Sequence, residues 1–319
     1  MKYVSLFSGI GAFEEGLKNL GIEFDLIGYS EIEERTSKAY SIIHGVSEDK
    51  NLGDITKVKT IGECDLVTYG FPCQSFSIAG ERMGFQDETN GNLFFETMRV
   101  IEPTRPKYLI AENVKGLVGH DKGMTFKIIL ETLESLGYNN YWKVLNSSFY
   151  DTPQARERVF IVSIRKDVDK RGFTFPKGRL TNKTVRDIID GLDCPRKRVK
   201  ETLLPYMDRK YFTKNYQSSS GVVKLFDGVS EGYFTSDFTG NRIYSIDGIS
   251  PTITTKNNTV FYELKGHLNQ RERFALQGFR KEYVDKLKDE GIPNGLIDKM
   301  SGNSISVNVV EAILKQLFL

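Results

Sequence analysis

Short apolar runs of four to six residues recur along the first half of the chain, at Tyr3–Phe7, Phe24–Tyr29, Leu66–Tyr69, Tyr108–Ala111 and Val159–Ile164. Between them the apolar spacing changes to three and four. Phe13, Leu17 and Leu20 share one helical face, and a helix is expected over Leu93–Ile101, ahead of the Pro103–Pro106 punctuation. Phe126, Ile129, Leu130, Leu133 and Leu136 form a further stripe that stops at Gly137. Largely apolar strands alternating with amphipathic helices predict an α/β fold on a mostly parallel, Rossmann-like sheet.

After about residue 175 the texture changes. The stretches KGRLTNKT, CPRKRVK and SSSGVVKLFDG lack helical periods and are rich in basic, Ser, Gly and aromatic residues, as a second, smaller lobe would be. Helical spacing returns from Glu272 and ends in a stripe of Val307, Val310, Ile313, Leu314 and Leu317. The expected division is therefore 1–176, 177–268 and 269–319, with the last part packing back on the first.

Composition narrows the class. At 39% apolar and 27% charged residues the chain has material for a sizeable core, and no apolar run reaches the eighteen residues of a membrane span. The start MKYVSLFSGI reads as a strand and not as a secretory leader. Cys64, Cys73 and Cys194 show no zinc spacing, and the three histidines are scattered, so no metal is expected and the cytosol is the expected compartment. The net charge of +2 conceals a split: residues 1–164 sum to −6, 165–215 to +8 and 216–319 to zero. On charge alone the basic block is either a solvated surface or a polyanion-binding face.

Five segments carry candidate chemistry. Phe7-Ser8-Gly9-Ile10-Gly11-Ala12 follows the first strand and opens the first helix, where backbone amides hold ligand polar groups or simply make a tight turn. Glu14 stands where a dinucleotide site has its third glycine, and a carboxylate there opposes a pyrophosphate, which favours an adenosyl ligand without phosphates. Glu31 after the second strand is placed to accept from ribose hydroxyls, and Asp54 in Gly53-Asp54-Ile55-Thr56 from an adenine amine; either is otherwise a surface carboxylate. Gly70-Phe71-Pro72-Cys73-Gln74-Ser75 ends a strand at the edge where open sheets build their sites, followed by a Gly-bearing loop over Ile78–Asn92. Ala111-Glu112-Asn113-Val114 delivers a carboxyl group from an apolar strand, where desolvation favours its protonated form. In Gln154-Ala155-Arg156-Glu157-Arg158, strand alternation is expected to point both guanidiniums to one side. Trp142 and Phe126 read as core packing.

Taken together and in this order, these segments resemble the DNA (cytosine-5)-methyltransferase family, in particular its compact bacterial and phage modification type. The resemblance covers nearly all of 1–164 and 242–310: Phe7–Phe13 and Gly302-Asn303-Ser304 are similar to its cofactor motifs, and Gly70–Ser77 to its nucleophile motif. Glu112–Val114 is similar to its acid motif, Gln154–Arg158 to its paired-arginine motif, and Arg242–Ile253 to the end of its target-recognition region. One departure stands out: Asn90-Gly91-Asn92-Leu93-Phe94 lacks the usual arginine before Gly, so its role is absent or moved to Arg82 or Arg99.

The resemblance implies an S-adenosylmethionine-dependent methyltransferase fold with a smaller target-recognition domain, acting on carbon 5 of cytosine in double-stranded DNA. It implies Cys73 as nucleophile on a flipped-out base, Glu112 as acid, and Arg158 and Arg156 as their helpers. Cofactor contacts carried over are Phe7, Gly9, Ile10, Gly11, Ala12 and Pro72, with Leu93, Asn303 and Ser304. Glu31, Ile32, Asp54 and Ile55 complete them. DNA contacts carried over are Ser77 and Ile78 on the loop after the nucleophile, and Thr239, Arg242, Tyr244, Thr252 and Lys256 on recognition loops. With a duplex as partner the basic block reads as a backbone-binding face. A restriction-modification, orphan or phage setting is implied, with any endonuclease acting separately on the DNA, a monomeric enzyme and a bacterial cytoplasmic location. A tRNA-modifying branch shares the motifs but carries a Cys-Phe-Thr signature that residues 177–256 lack. A binding-only protein is disfavoured by the intact Cys73, Glu112 and Arg158, and a dinucleotide oxidoreductase by Glu14.

Overall fold

Strand β1 (Lys2–Leu6) buries every residue after Lys2, as a central parallel strand covered on both faces must. The structure, a computed structural model, describes residues 1–72, 93–170, 172–212, 216–235 and 239–319. Helix α1 (Ala12–Asn19) leads to β2 (Asp25–Ser30), and α2 (Glu34–His44) and an irregular stretch lead to β3 (Leu66–Tyr69). Then come α3 (Leu93–Ile101), β4 (Tyr108–Val114), α4 (Met124–Ser135), β5 (Tyr138–Asn146), β6 (Gln154–Ala155) and β7 (Glu157–Arg165). The main sheet has the order β2-β1-β3-β4-β7-β5. β1 pairs in parallel with β2 and β3, and β3 with β4, while β7 runs antiparallel to β4. After β1 the chain goes to one side and later returns to the other, so a switch point opens between the carboxyl ends of β1 and β3. Phe7–Ala12 and Gly70–Pro72 leave the sheet at those two ends.

The chain divides into two compact units: residues 1–145, 157–176 and 313–319, and residues 146–156 with 177–312. In the first, Val4, Leu6, Val67, Leu109 and Ala111 of the sheet pack with Phe94 and Met98 of α3 and Phe126, Ile129 and Leu133 of α4. Gly137 takes a left-handed φ of 92°, which explains why the α4 stripe stops there. Trp142 departs from expectation: it is 44% exposed on β5 and meets Phe126 edge-on.

The second unit holds β8 (Tyr216–Gln217), β9 (Val223–Asp227), β10 (Arg242–Tyr244) and β12 (Val260–Phe261) in the order β12-β10-β9-β8. A two-stranded parallel pair joins β6 to β11 (Ser250–Pro251). Helices α5 (Gln270–Leu276), α6 (Glu282–Asp289) and α7 (Asn294–Asn303) belong to this unit, and α8 (Val307–Phe318) starts in it. The segment 269–319 is thus divided: only 313–319 belongs to the first unit, where Phe318 meets Tyr108 edge-on at 5.1 Å. Among the described residues no helix is long and apolar enough to cross a membrane.

Candidate active site

The glycine turn after β1 needs left-handed backbone at Phe7 (φ 55°), Gly9 (55°) and Gly11 (75°). At Gly11 a side chain is excluded twice over, because a Cβ there would lie 2.1 Å from Nε2 of His44. Glu31 spans two segments: Gly9 N–H donates to Oε2 at 3.1 Å and Glu33 N–H to Oε1 at 2.9 Å. Burial raises the pKa of Glu31 against the pull of these amides. Asn51 grips the same residue, accepting from Glu31 N–H and donating to its carbonyl, and also accepts from Gly53 N–H. Beside Glu31, Ile32 is 74% exposed. Ile10, Ala12 and Ile55 are buried, Leu93 is half-buried at the start of α3, and Pro72 is exposed.

One expectation on this side is corrected. Glu14 is 1% exposed and points away from the turn, accepting from Tyr40 OH at 2.8 Å and Tyr3 OH at 3.2 Å, so it does not oppose a bound phosphate. Its burial raises its pKa. The carboxylate that stands at the turn is Glu31, which accepts from the Gly9 amide. Asp54 turns its carboxylate onto its own loop, accepting from Thr56 hydroxyl and amide, and the hydroxyl bond comes first in lowering its pKa. The left-handed turn, the carboxylate at its edge and the exposed aliphatic Ile32 fit an adenosyl group without phosphates. Among the described residues no cluster of His, Cys, Asp or Glu suits a metal.

At the neighbouring strand ends, Glu112 pairs across to Phe160 inside the sheet, so it stands within β4 and not beyond it. Its Oε1 lies 3.0 Å from Nε of Arg158, and both side chains are largely buried. Gly70 lies beside the same carboxyl: a Cβ there would stand in ordinary contact with Oε2 of Glu112, at 3.5 Å. Asn113 donates to the carbonyl of Phe71 at 2.7 Å and accepts from Val114 N–H, tying the segment that runs into Cys73 to the end of β4. Cys73, Ser77 and Ile78 lie outside the described residues, as do Arg82 and Asn90. Arg99 donates to the carbonyls of Val58 and Ile55 and pairs with Glu96; it secures the turn after Asp54.

In the second unit the paired-arginine expectation changes most. β6 ends at Ala155 and β7 begins at Glu157, so alternation does not carry across Arg156. Arg156 is 3% exposed and donates to the carbonyls of Ile253 (3.1 Å), Gly302 (2.9 Å) and Ser304 (2.5 Å). It is a framework residue of its unit, and Arg158 alone reaches Glu112. Gly302 is a packing requirement, since a Cβ would fall 2.3 Å from the Thr254 carbonyl; Asn303 is exposed and Ser304 half-buried.

Three recognition candidates are likewise engaged. Tyr244 is buried beside Phe261, Arg242 is held by Asp227, and Thr252 hydroxyl donates to the Ala155 carbonyl. Lys256 is exposed, and the side chain of Thr239 lies outside the described residues.

The family model for C-5 cytosine-specific DNA methylases matches residues 1–319. The chain belongs to that family. Within this DNA methylase family, the orphan methyltransferase M.SPRI of Bacillus phage SPR is 36% identical over 281 residues. The match covers 80% of this chain and 64% of the phage protein, so the chain spans less than two thirds of that relative's length. The type II methyltransferase M.Bsp6I of Bacillus sp. (strain RFL6) is 33% identical, covering 100% of this chain and 98% of the relative. The crystal structure of S. pombe Dnmt2 methyltransferase matches with a TM-score of 0.69 at 17% identity over 100% of this chain and 99% of that one, a likeness of fold.

For a C-5 cytosine methylase, sequence reasoning missed the side chains that hold others in place. Asn113 lay in view between Glu112 and Val114, but nothing in its neighbours revealed that its amide turns back to Phe71. Asn51 and His44 sit outside any apolar period, and only the three-dimensional approach of their loops assigns them a task.

Proposed function

We propose that this chain transfers a methyl group to carbon 5 of a cytosine in double-stranded DNA by covalent addition of Cys73 to a flipped-out base. The observation that carries the reading is the Glu112–Arg158 pair on β4 and β7, next to an Asn113-anchored strand end that continues directly into Cys73. Bound at the turn after β1, S-adenosylmethionine supplies the electrophilic methyl. Glu31 would accept from the ribose, Ile32 would cover the adenine, and the Gly9–Gly11 turn would let backbone approach closely. Asn303 and Ser304 stay in this reading as cofactor contacts on the strength of the motif resemblance alone.

Carbon 5 of cytosine is a weak nucleophile until carbon 6 is attacked. The Cys73 thiolate forms a bond to carbon 6 while Glu112 passes its proton to ring nitrogen 3, and the displaced electron pair makes carbon 5 nucleophilic. Arg158 orients the Glu112 carboxyl and stabilises the carboxylate that remains. After methyl transfer, a solvent-borne base takes the carbon-5 proton. The electrons of that bond restore the ring double bond, the sulfur leaves as thiolate, and nitrogen 3 returns its proton to Glu112. Residues 1–176 carry this chemistry in our reading, 177–268 recognise the target, and the enzyme acts as a monomer in a bacterial cytoplasm. The names of its relatives support an orphan or restriction-linked setting.

Bisulfite sequencing of treated genomic DNA identifies the site. A duplex carrying 5-fluorocytosine there then traps a covalent adduct with the wild-type chain, because fluorine does not leave as a proton. Cys73→Ala yields no adduct. An undiminished adduct from that variant, or a preference for transfer RNA over duplex DNA, overturns the proposal.

A further inference from the structure

His44, the last residue of α2, lies thirty-four positions from Ile10 in sequence but meets it in space: Nε2 is 2.9 Å from the Ile10 carbonyl. Its other nitrogen, Nδ1, is 3.1 Å from Nζ of Lys18, which also donates to the His44 carbonyl. These two partners determine the tautomer. An ammonium only donates and a carbonyl only accepts, so Nδ1 must be the acceptor and Nε2 must carry the proton. A doubly protonated ring would set an N–H against the Lys18 ammonium. The ring is braced by Tyr40 at 4.7 Å, which stacks on Tyr29 at 4.0 Å and donates to Glu14, and it fills the space that a side chain at Gly11 would need.

We infer that His44 is a positioning residue for the adenosyl group: as a neutral Nε2–H donor it holds the Ile10 carbonyl, and through it the left-handed Gly9–Gly11 turn whose Gly9 amide meets Glu31. This rests on the cofactor reading proposed above. Without the donor, the Ile10 carbonyl is buried and unsatisfied, and the turn relaxes to find another partner. The loss falls on cofactor affinity. Desolvation, followed by the Lys18 charge, holds the imidazole pKa at about 3, which keeps the donor in place at neutral pH.

The test measures binding of S-adenosylhomocysteine to the full chain by calorimetry, without DNA and well below the melting temperature. His44→Phe, which keeps a ring but no donor, weakens binding about tenfold. His44→Gln, which restores a donor of similar reach, recovers it to within about threefold. A long-range proton–nitrogen NMR spectrum of the wild type shows the Nε2–H tautomer from pH 6 to 8. If the wild type does not bind, both the cofactor reading and this inference fall. If it binds and His44→Phe binds equally well, or if Gln and Phe weaken it alike, only the positioning role falls. Should His44→Phe not fold, the Gln variant and the tautomer decide, and an Nδ1–H tautomer overturns the role.

Discussion

His44 and His267 are both kept neutral by burial, with pKa values lowered to about 3 and about 4. Unfolding frees each imidazole to titrate at its ordinary value near 6.5. Between about pH 4 and 6.5 the unfolded chain therefore binds more protons than the folded one, so this stability is whole above pH 6.5 and is lost as pH falls. Two such groups give a slope approaching about 2.7 kcal/mol per pH unit. Glu14 and Glu31, whose pKa values burial raises, oppose part of this slope, so the imidazole share is read by difference: the urea midpoint of the wild type should fall more steeply between pH 7 and 5 than that of His267→Gln, and identical profiles would contradict the burial argument. At this scale the sequence displays which side chains are present but not which way they face. Glu14, Arg156, Tyr244 and Arg242 all have the right chemistry for a ligand, and all are turned inward or held by a partner.

Elements divide along the same line. β1, β3 and β4 were legible because parallel strands covered on both faces are almost wholly apolar, while β5, with YNNYWKVLN at the sheet edge, and α2, with a polar first turn, show no such run. The break between β6 and β7 has the largest consequence. It sends Arg156 to three carbonyls of the second unit and leaves Arg158 on Glu112. Arg156→Met should therefore cost about 3 kcal/mol or more in urea unfolding, because the buried carbonyls of Ile253, Gly302 and Ser304 lose a charged donor. Arg158→Met should cost less, because Glu112 can take up a proton once its partner is gone, yet abolish adduct formation. Equal stability losses for the two variants would refute this division of labour.

Over the whole molecule, the excess of +8 in residues 165–215 overstates the charge available to a partner. Lys183 and Arg186 pair with Asp151 and Asp247, which lie outside the segment and so are not counted in its net charge, and Arg196 is buried against Glu272, also outside it. Lys177, Arg179 and Arg198 are exposed, and each phosphate contact contributes about 0.9 to the slope of log affinity against log salt. Replacing these three with Ala should lower that slope by about 2 to 3 in duplex-binding titrations and leave the melting temperature alone; an unchanged slope would exclude them from the interface. The order of motifs, the alternation of strands and helices and the family were all settled by the sequence alone. They depend on residue type and spacing along the chain, which a linear record preserves. Which carboxylate guards the glycine turn, which arginine meets Glu112, and which polar groups serve only to hold backbone were decided by tertiary structure, because those roles depend on direction and distance between segments remote in sequence.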